Sequence, residues 1–396
     1  MNLTILNKEV QEYINTNLKS DISKLILKGS PFKTISIQEL AEQILAKNKC
    51  QKKLPNWFSS KNIYYPKKIN IEQTSSEITA KYKSNLVSGE SLIDITGGFG
   101  IDSYYFSQKV KKVTHCEINS QLSEIVAHNY KQLNCSNIEN YFGDGLDLLK
   151  KSPLKFDWIY IDPSRRNDLK GKVFLLKDCL PNIPNNLDLL FEKSNHILIK
   201  VSPILDISSA ISELNFVKNI YIVAVENEVK ELLFILKKDF NQNITTNTIN
   251  FIKNEIQQFN FGLNESSSAT FSEPKQYLYE PNAAILKAGA FNQISEHFKI
   301  DKLHHHSHLY TSKNLIKFPG RSFEIKHSIP YDKKQLKKLI PTNKANITIR
   351  NFPETVAQIR KKTKLKDGGF QYLFFTTDIN NNHIILICEK LHTASL

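Results

Sequence analysis

The chain changes rhythm near residue 90. Before it, apolar residues recur at helical spacing, as in VQEYINTNLKSDISKLILKG and SIQELAEQILAKNKCQKKL, without the alternation of a strand. Pro31, Pro55 and Trp57 punctuate this part. Residues 1–80 are therefore expected to form a helical domain, whose last helix, SSEITAKYKSNL, can be capped by Ser76. From Ser91 short apolar runs take over: LIDIT, KVTHCEI, NIENYF, FDWIYID, HILIKV, NIYIVAV and ELLFILK, with helical stretches between the first six.

Near-continuous apolar strands alternating with helices predict an α/β fold with a parallel sheet covered on both faces. The last two runs, YIVAV and ELLFIL, are joined by too few residues for a crossover helix. They should close the sheet as an antiparallel hairpin. This places a Rossmann-like domain over residues 81–240. Residues 241–275 are polar, with SSSATFSEPK reading as a linker. A small unit then starts at YLYEPNAAILKAGAF and ends near HHHSHLYTS. The final stretch mixes strands (SFEIKHSI, ANITIR, FQYLFFTT, HIILICEK) with basic helices (YDKKQLKKLI, VAQIRKKT), an α+β pattern.

Charge changes this picture more than composition does. The net charge is +14, and residues 301–396 hold 17 Lys and Arg against 7 Asp and Glu. A basic module beside an enzyme-like one points to an anionic partner, foremost nucleic acid. A solvated lysine-rich surface is the plainer reading. Five scattered cysteines without metal spacing, and an N-terminus without a signal-peptide pattern, lead us to expect reduced thiols and a cytoplasmic protein. No apolar run suggests a membrane span.

Four stretches carry the candidate chemistry. In DITGGFGID, Gly97, Gly98 and Gly100 permit a tight strand-to-helix turn and the close approach of a ligand. A dinucleotide fingerprint would need a third glycine where Ser103 stands. Asp94 instead suits a ligand bearing an amine and a sulfonium, as S-adenosylmethionine does, and would repel a pyrophosphate. In THCEINSQL, Glu117 lies 19 residues beyond Gly98, followed by Ile118, at the strand end where a carboxylate accepts from ribose hydroxyls. In NYFGDGLDLL, Asp144 can accept from an adenine amine, or cap the next helix, or both. In WIYIDPSRR, Asp162 and Pro163 close the fourth strand, where open α/β sheets bind ligands. Ser164, Arg165 and Arg166 follow as candidate substrate contacts, the arginines being forked donors for a phosphate. Lys200, in LIKVSPILDI, stands at the fifth strand end. His304, His305, His306 and His308 look like a metal cluster, but lack a carboxylate or cysteine at ligand spacing, so a polar or RNA-facing loop is expected and no metal.

Taken in order, DITGGFGID, Glu117, GDG, DPSRR and the terminal hairpin resemble a class I S-adenosylmethionine-dependent methyltransferase. INIEQTSSEITAKYK, YIDPSRR, VENEVKELL, YLYEPNAAILKAGAF and SHLYTS resemble, more narrowly, a bacterial methyltransferase family with a C-terminal THUMP-like domain. The resemblance runs from about Asn70 to the C-terminus. It implies a ferredoxin-like piece over 275–318 and a basic THUMP-like domain over 319–396. It also implies a donor loop of Asp94, Thr96, Gly98, Gly100 and Asp102, with Thr96 in place of the usual first glycine. THUMP domains bind structured RNA, so an RNA substrate (tRNA or rRNA) is implied.

The acceptor is open at this level. DPSRR has no aromatic to stack a flipped base, unless Tyr104 or Tyr105 substitutes. Cys179, 13 residues further on, is distant for a nucleophile toward a pyrimidine carbon. Asp162 is expected to orient the nucleophile or its proton. Two other readings stay open: a protein or small-molecule methyltransferase with its C-terminal module used for assembly, and a non-catalytic RNA-binding protein.

Overall fold

The computed structural model describes residues 1–165, 175–253 and 255–391. The chain divides into two compact units: Met1–Lys218 with Leu233–Asn241, and Asn219–Leu232 with Gln242–Leu396.

The first unit opens with α1 (Lys8–Thr16), α2 (Ile22–Lys28), α3 (Ile37–Lys53), α4 (Pro55–Ser59), α5 (Lys68–Gln73) and α6 (Glu77–Ser84). The longest, α3, starts at a capping box: the Ser36 hydroxyl accepts from the Glu39 N–H, and the Glu39 carboxylate accepts from the Ser36 N–H. Ser76 caps α6 through the Thr79 N–H. These helices share one core with the sheet domain. Ala46, Cys50, Leu54, Trp57 and Tyr65 pack in one cluster with Phe99, Ile101, Tyr105, Val126 and Tyr130, the last five lying on and around α7 (Ile101–Phe106) and α8 (Ser120–Gln132).

The sheet strands of this unit are β1 (Gly89–Asp94), β2 (Val110–Glu117), β3 (Ile138–Phe142), β4 (Trp158–Ile161), β5 (His196–Val201) and the second half of β7 (Glu228–Lys237), in the order β3-β2-β1-β4-β5-β7. The first five are parallel. Buried apolar runs such as Ile159–Ile161 and Ile197–Ile199 fit a sheet covered on both faces. Also in this unit are α9 (Gly145–Lys151), α10 (Leu187–Lys193) and α11 (Ile207–Glu213). The parallel strands bring Asp94, Glu117, Asp162 and Lys200 to one edge, the carboxyl ends.

The second unit begins with β6 (Val217–Val225) and the first half of β7, a hairpin turned by Glu226 and Asn227, both at positive φ. The predicted antiparallel hairpin is present, and two further strands follow it in this unit. β8 (Thr245–Ile252) runs parallel to β6, and β9 (Glu255–Gly262) antiparallel to β8. The polar stretch 241–275 is therefore partly strand, ahead of SSSATFSEPK. Its inward face is polar: Thr246, Thr248 and Asn250 are buried, with Thr248 donating to the Phe259 carbonyl and Asn250 to the Gln257 amide oxygen. Buried polar groups satisfied in this way leave no apolar alternation to detect.

A second sheet follows, in the order β11-β12-β10-β13-β16-β15-β14. Its strands are β10 (Tyr277–Pro281), β11 (Asp301–Lys302), β12 (Tyr310–Ser312), β13 (Gly320–Pro330), β14 (Asn346–Arg350), β15 (Gln371–Thr377) and β16 (His383–Lys390). Its helices are α12 (Ala283–Ala288), α13 (Phe291–Phe298), α14 (Lys333–Leu339) and α15 (Val356–Thr363). The near-buried Glu280 carboxylate holds this part together by pairing with Arg321 and Arg350. No helix among the described residues is long and apolar enough to cross a membrane.

Candidate active site at the carboxyl edge of the first sheet

The turn after β1 is built around three side chains that the sequence reading did not single out: His115, Tyr130 and Ser103. Gly97 donates its N–H to the Cys116 carbonyl at 2.8 Å, which presses the turn onto β2. A Cβ at Gly97 would lie 2.1 Å from the His115 ring, so only glycine fits there. His115 Nδ1 lies 3.1 Å from the Ser103 hydroxyl and 3.2 Å from the Tyr130 hydroxyl. Burial pulls this imidazole down to about 3, so it is neutral in the folded protein.

Gly98 differs from Gly97. Its φ is +57°, and a Cβ there would meet nothing closer than the Thr96 carbonyl at 3.9 Å. The backbone is therefore bare on that side. Its N–H donates to Glu117 Oε2 at 2.9 Å, and the Asn119 N–H donates to Oε1 at 2.6 Å. Burial raises the Glu117 carboxyl, against the pull of these backbone donors. Beside it Ile118 is 70% exposed, an apolar face next to the carboxylate. Gly100 is the N-cap of α7.

Asp94 and Asp102 are turned inward. Asp94, 1% exposed, accepts from the Ser103 hydroxyl at 2.6 Å and the Thr96 N–H at 3.0 Å. Burial raises its carboxyl to about 7 against those hydrogen bonds, with the charges of Asp102 and Asp162 adding to the rise. Asp102, in the first turn of α7, accepts from Tyr160 and Ser75 and pairs with Lys83 at 3.2 Å. Burial works to raise its carboxyl, but Lys83 and Lys200 together with the two hydroxyls hold it below the ordinary carboxylate range. Lys83 and Ser75 come from the helical segment before the sheet, so those helices lock the glycine turn. Asp144 is the N-cap of α9, accepting from the Leu146 N–H at 2.7 Å and the Asp147 N–H at 3.3 Å. Its residue is exposed.

At the other side of the turn, the Asp162 N–H donates to Thr96 Oγ1 at 2.7 Å, tying the end of β4 to the loop after β1. The Asp162 carboxylate, a third exposed, forms an ion pair with Lys200 from β5. Pro163 is buried and Ser164 exposed. Ser164 and Arg165 form a two-residue ladder with Cys179 and Leu180. Arg166 lies outside the described residues. The ladder sets Cys179 beside the DPSRR turn in space, which its separation along the chain had concealed. It is fully buried, with its thiol toward the Leu175 carbonyl, as in an inert structural cysteine. Tyr104 and Tyr105 do not offer a ring to a base. Tyr105 is buried, and Tyr104 stacks edge-on against Trp57 at 4.5 Å and takes a hydrogen bond from Asn56.

One further cation, on α3, feels the charge of Lys200. Lys53 donates to the Glu72 carbonyl at 2.7 Å, and burial followed by the charge of Lys200 brings its amine down to about 8. With Lys49, Lys52 and Lys68 it lines a cleft of about 550 Å³. The sequence signal was the lysine run at the end of α3, which reads as an ordinary solvated face.

In the second unit the histidine stretch is packing and loop. His304 bonds Asn381 and Asn351, and His308 stacks on Phe291 at 3.6 Å. Among the described residues no group of His, Cys, Asp and Glu could hold a metal ion.

Comparison with known proteins agrees with this architecture. Residues 277–319 match a family described as a ferredoxin-like domain, and residues 320–390 one described as THUMP domain-like. No curated protein matches the chain. A crystal structure of a "putative methyltransferase" from Porphyromonas gingivalis W83 is 29% identical, covers 98% of both chains and superposes with a TM-score of 0.88. A protein so described from Streptococcus mutans, in complex with SAH, matches 41% of this chain and 96% of its own at 15% identity and a TM-score of 0.31. TrmK of M. capricolum, in complex with S-adenosyl-homocysteine, matches 41% of this chain and 68% of its own at 18% identity and a TM-score of 0.32. The chain carries a segment that matches a ferredoxin-like domain and one that matches a THUMP-like domain, and it shares its fold along nearly its whole length with the Porphyromonas protein.

Proposed function

We propose that this protein is an S-adenosylmethionine-dependent methyltransferase that modifies RNA, tRNA or rRNA being the expected class. Residues 81–240 form its catalytic domain, 1–80 a helical domain, 275–318 a ferredoxin-like module and 319–396 an RNA-binding THUMP-like domain. The observation that carries the reading is the bare Gly98 backbone set against a Glu117 carboxylate that two backbone N–H groups already orient. That arrangement suits a nucleoside: Glu117 takes the ribose hydroxyls, Ile118 covers one face of the adenine, and Asp144 accepts from its amine while capping α9. Asp94, Thr96, Gly98, Gly100 and Asp102 shape the cradle, Asp94 and Asp102 from within.

The donor supplies, when bound, a methyl group on a sulfonium that is already activated for displacement. The protein's task is to align the nucleophile and exclude water. Asp162, steadied by Lys200 and by the bond of its N–H to Thr96, orients the acceptor and takes or holds its proton, with Pro163 shaping the turn. Ser164, Arg165 and Arg166 contact the substrate, Lys200 acts on it through Asp162, and Lys53 adds positive charge for a phosphate. Release of counterions from that phosphate makes binding steeply salt-dependent.

Two measurements test the reading. Calorimetric titration with S-adenosylhomocysteine should show one site, and no binding would overturn the donor assignment. Incubation with methyl-labelled donor and RNA from cells lacking this protein should label the RNA. Label confined to protein or small molecules would overturn the RNA assignment alone.

A further inference from the structure

The loop Gly368-Gly369-Phe370, just before β15, holds a phenylalanine that is 93% exposed. Both glycines are at positive φ, +95° and +86°. The loop is nonetheless held in place. The Asn346 side chain donates to the Gly369 carbonyl at 2.9 Å and to the Gln371 carbonyl at 3.2 Å. Gly369 packs on Lys344, whose carbonyl would lie 3.2 Å from a Cβ there. Lys344 in turn pairs with Lys366 in a parallel bridge, and the Ala345 N–H donates to the Lys366 carbonyl at 3.1 Å. Lys344, Lys364 and Lys366 are all exposed. The acidic neighbour Asp367 is paired with Arg360. An aromatic face thus stands in water on an anchored loop, with cations close by along the chain and across the bridge.

We infer that the Phe370 loop is a contact site for an unpaired nucleotide of RNA, its base stacked on the Phe370 ring and its phosphates held by Lys344, Lys364 and Lys366. The inference rests on the RNA reading above and adds where and how the strand is held. A protein or lipid partner would use the apolar ring or the charges, but the pairing of one π-face with several cations is the chemistry of a single-stranded nucleic acid.

The experiment uses the full chain and a fluorescein-labelled, unstructured 12-nucleotide RNA followed by anisotropy. Phe370→Ala should weaken binding roughly tenfold, since base–aromatic stacking is worth about 1–3 kcal/mol. Phe370→Trp should retain affinity, and the added tryptophan emission should be quenched by the RNA relative to wild type. Lys344→Gln with Lys366→Gln should reduce the slope of log affinity against log salt by about 0.7 per lysine. Wild-type binding with an unchanged Phe370→Ala would overturn the site and leave the RNA reading standing. Binding of a folded RNA but not of the 12-mer would do the same. Failure of the wild type to bind any RNA would overturn both.

Discussion

Lys200 and Asp162 meet as an ion pair across the carboxyl ends of two adjacent parallel strands, β5 and β4. Lys200 is almost buried and Asp162 a third exposed, so the pair presents its carboxylate to the mouth and keeps its ammonium behind. Asp162→Ala should lower methyl transfer by about 10²–10⁴-fold, the range for a positioned proton acceptor. Its affinity for S-adenosylhomocysteine should stay within about threefold of wild type, the pair being outside the Gly98–Glu117 cradle. Radiometric transfer and calorimetry on the same preparation check this, and loss of donor binding would count against the role.

Glu117 predicts the opposite pattern. Glu117→Ala removes the acceptor of two backbone N–H groups and of the proposed ribose contact. Donor affinity should fall at least tenfold, as expected for a lost charge-assisted hydrogen bond of about 1.5–3 kcal/mol. Glu117→Gln, which still accepts, should lose less. Equal losses for the two variants would place the effect in folding of the turn.

Asp94 links the turn to pH. Its folded carboxyl lies at about 7, above the ordinary value, because burial disfavours the charged form. The folded state therefore holds a proton that the unfolded state releases near pH 4. The stabilisation is complete below about pH 4, and declines as pH rises to 7. At full ionisation the loss is on the order of 4 kcal/mol. Asp94→Asn keeps an acceptor for Ser103 and Thr96 without this cost. Urea unfolding from pH 5 to 8 should show the variant gaining on wild type as pH rises, and parallel curves would refute the assignment.

The Lys83–Asp102 pair offers a structural test. Lys83 is fully buried and its partner nearly so, which makes removal of one member costly. Lys83→Met should destabilise by about 3–5 kcal/mol by stranding the Asp102 charge. Adding Asp102→Asn should restore part of it, and thermal unfolding with a double-mutant cycle measures the difference. Because Lys83 lies on α6 and Asp102 on α7, donor affinity should fall in the single variant as well.

How much of this was legible in the chain differs by element. The parallel strands and the order of acidic strand ends could be read because burial on both faces forces continuous apolar runs, and parallel strands put their carboxyl ends on one edge. Gly98 and Glu117 fell in register through sequence spacing alone. The strand Thr245–Ile252 could not be read, because its buried positions include Thr248 and Asn250, whose hydrogen-bond partners lie on another strand. The reason Gly97 must be glycine is His115 on the next strand, and the partner of Asp102 is Lys83, 19 residues earlier. Period and turn chemistry are local and survive in a one-dimensional pattern. Which carboxylate turns inward, which lysine stands behind Asp162 and which ring is left in water are decided only by long-range packing.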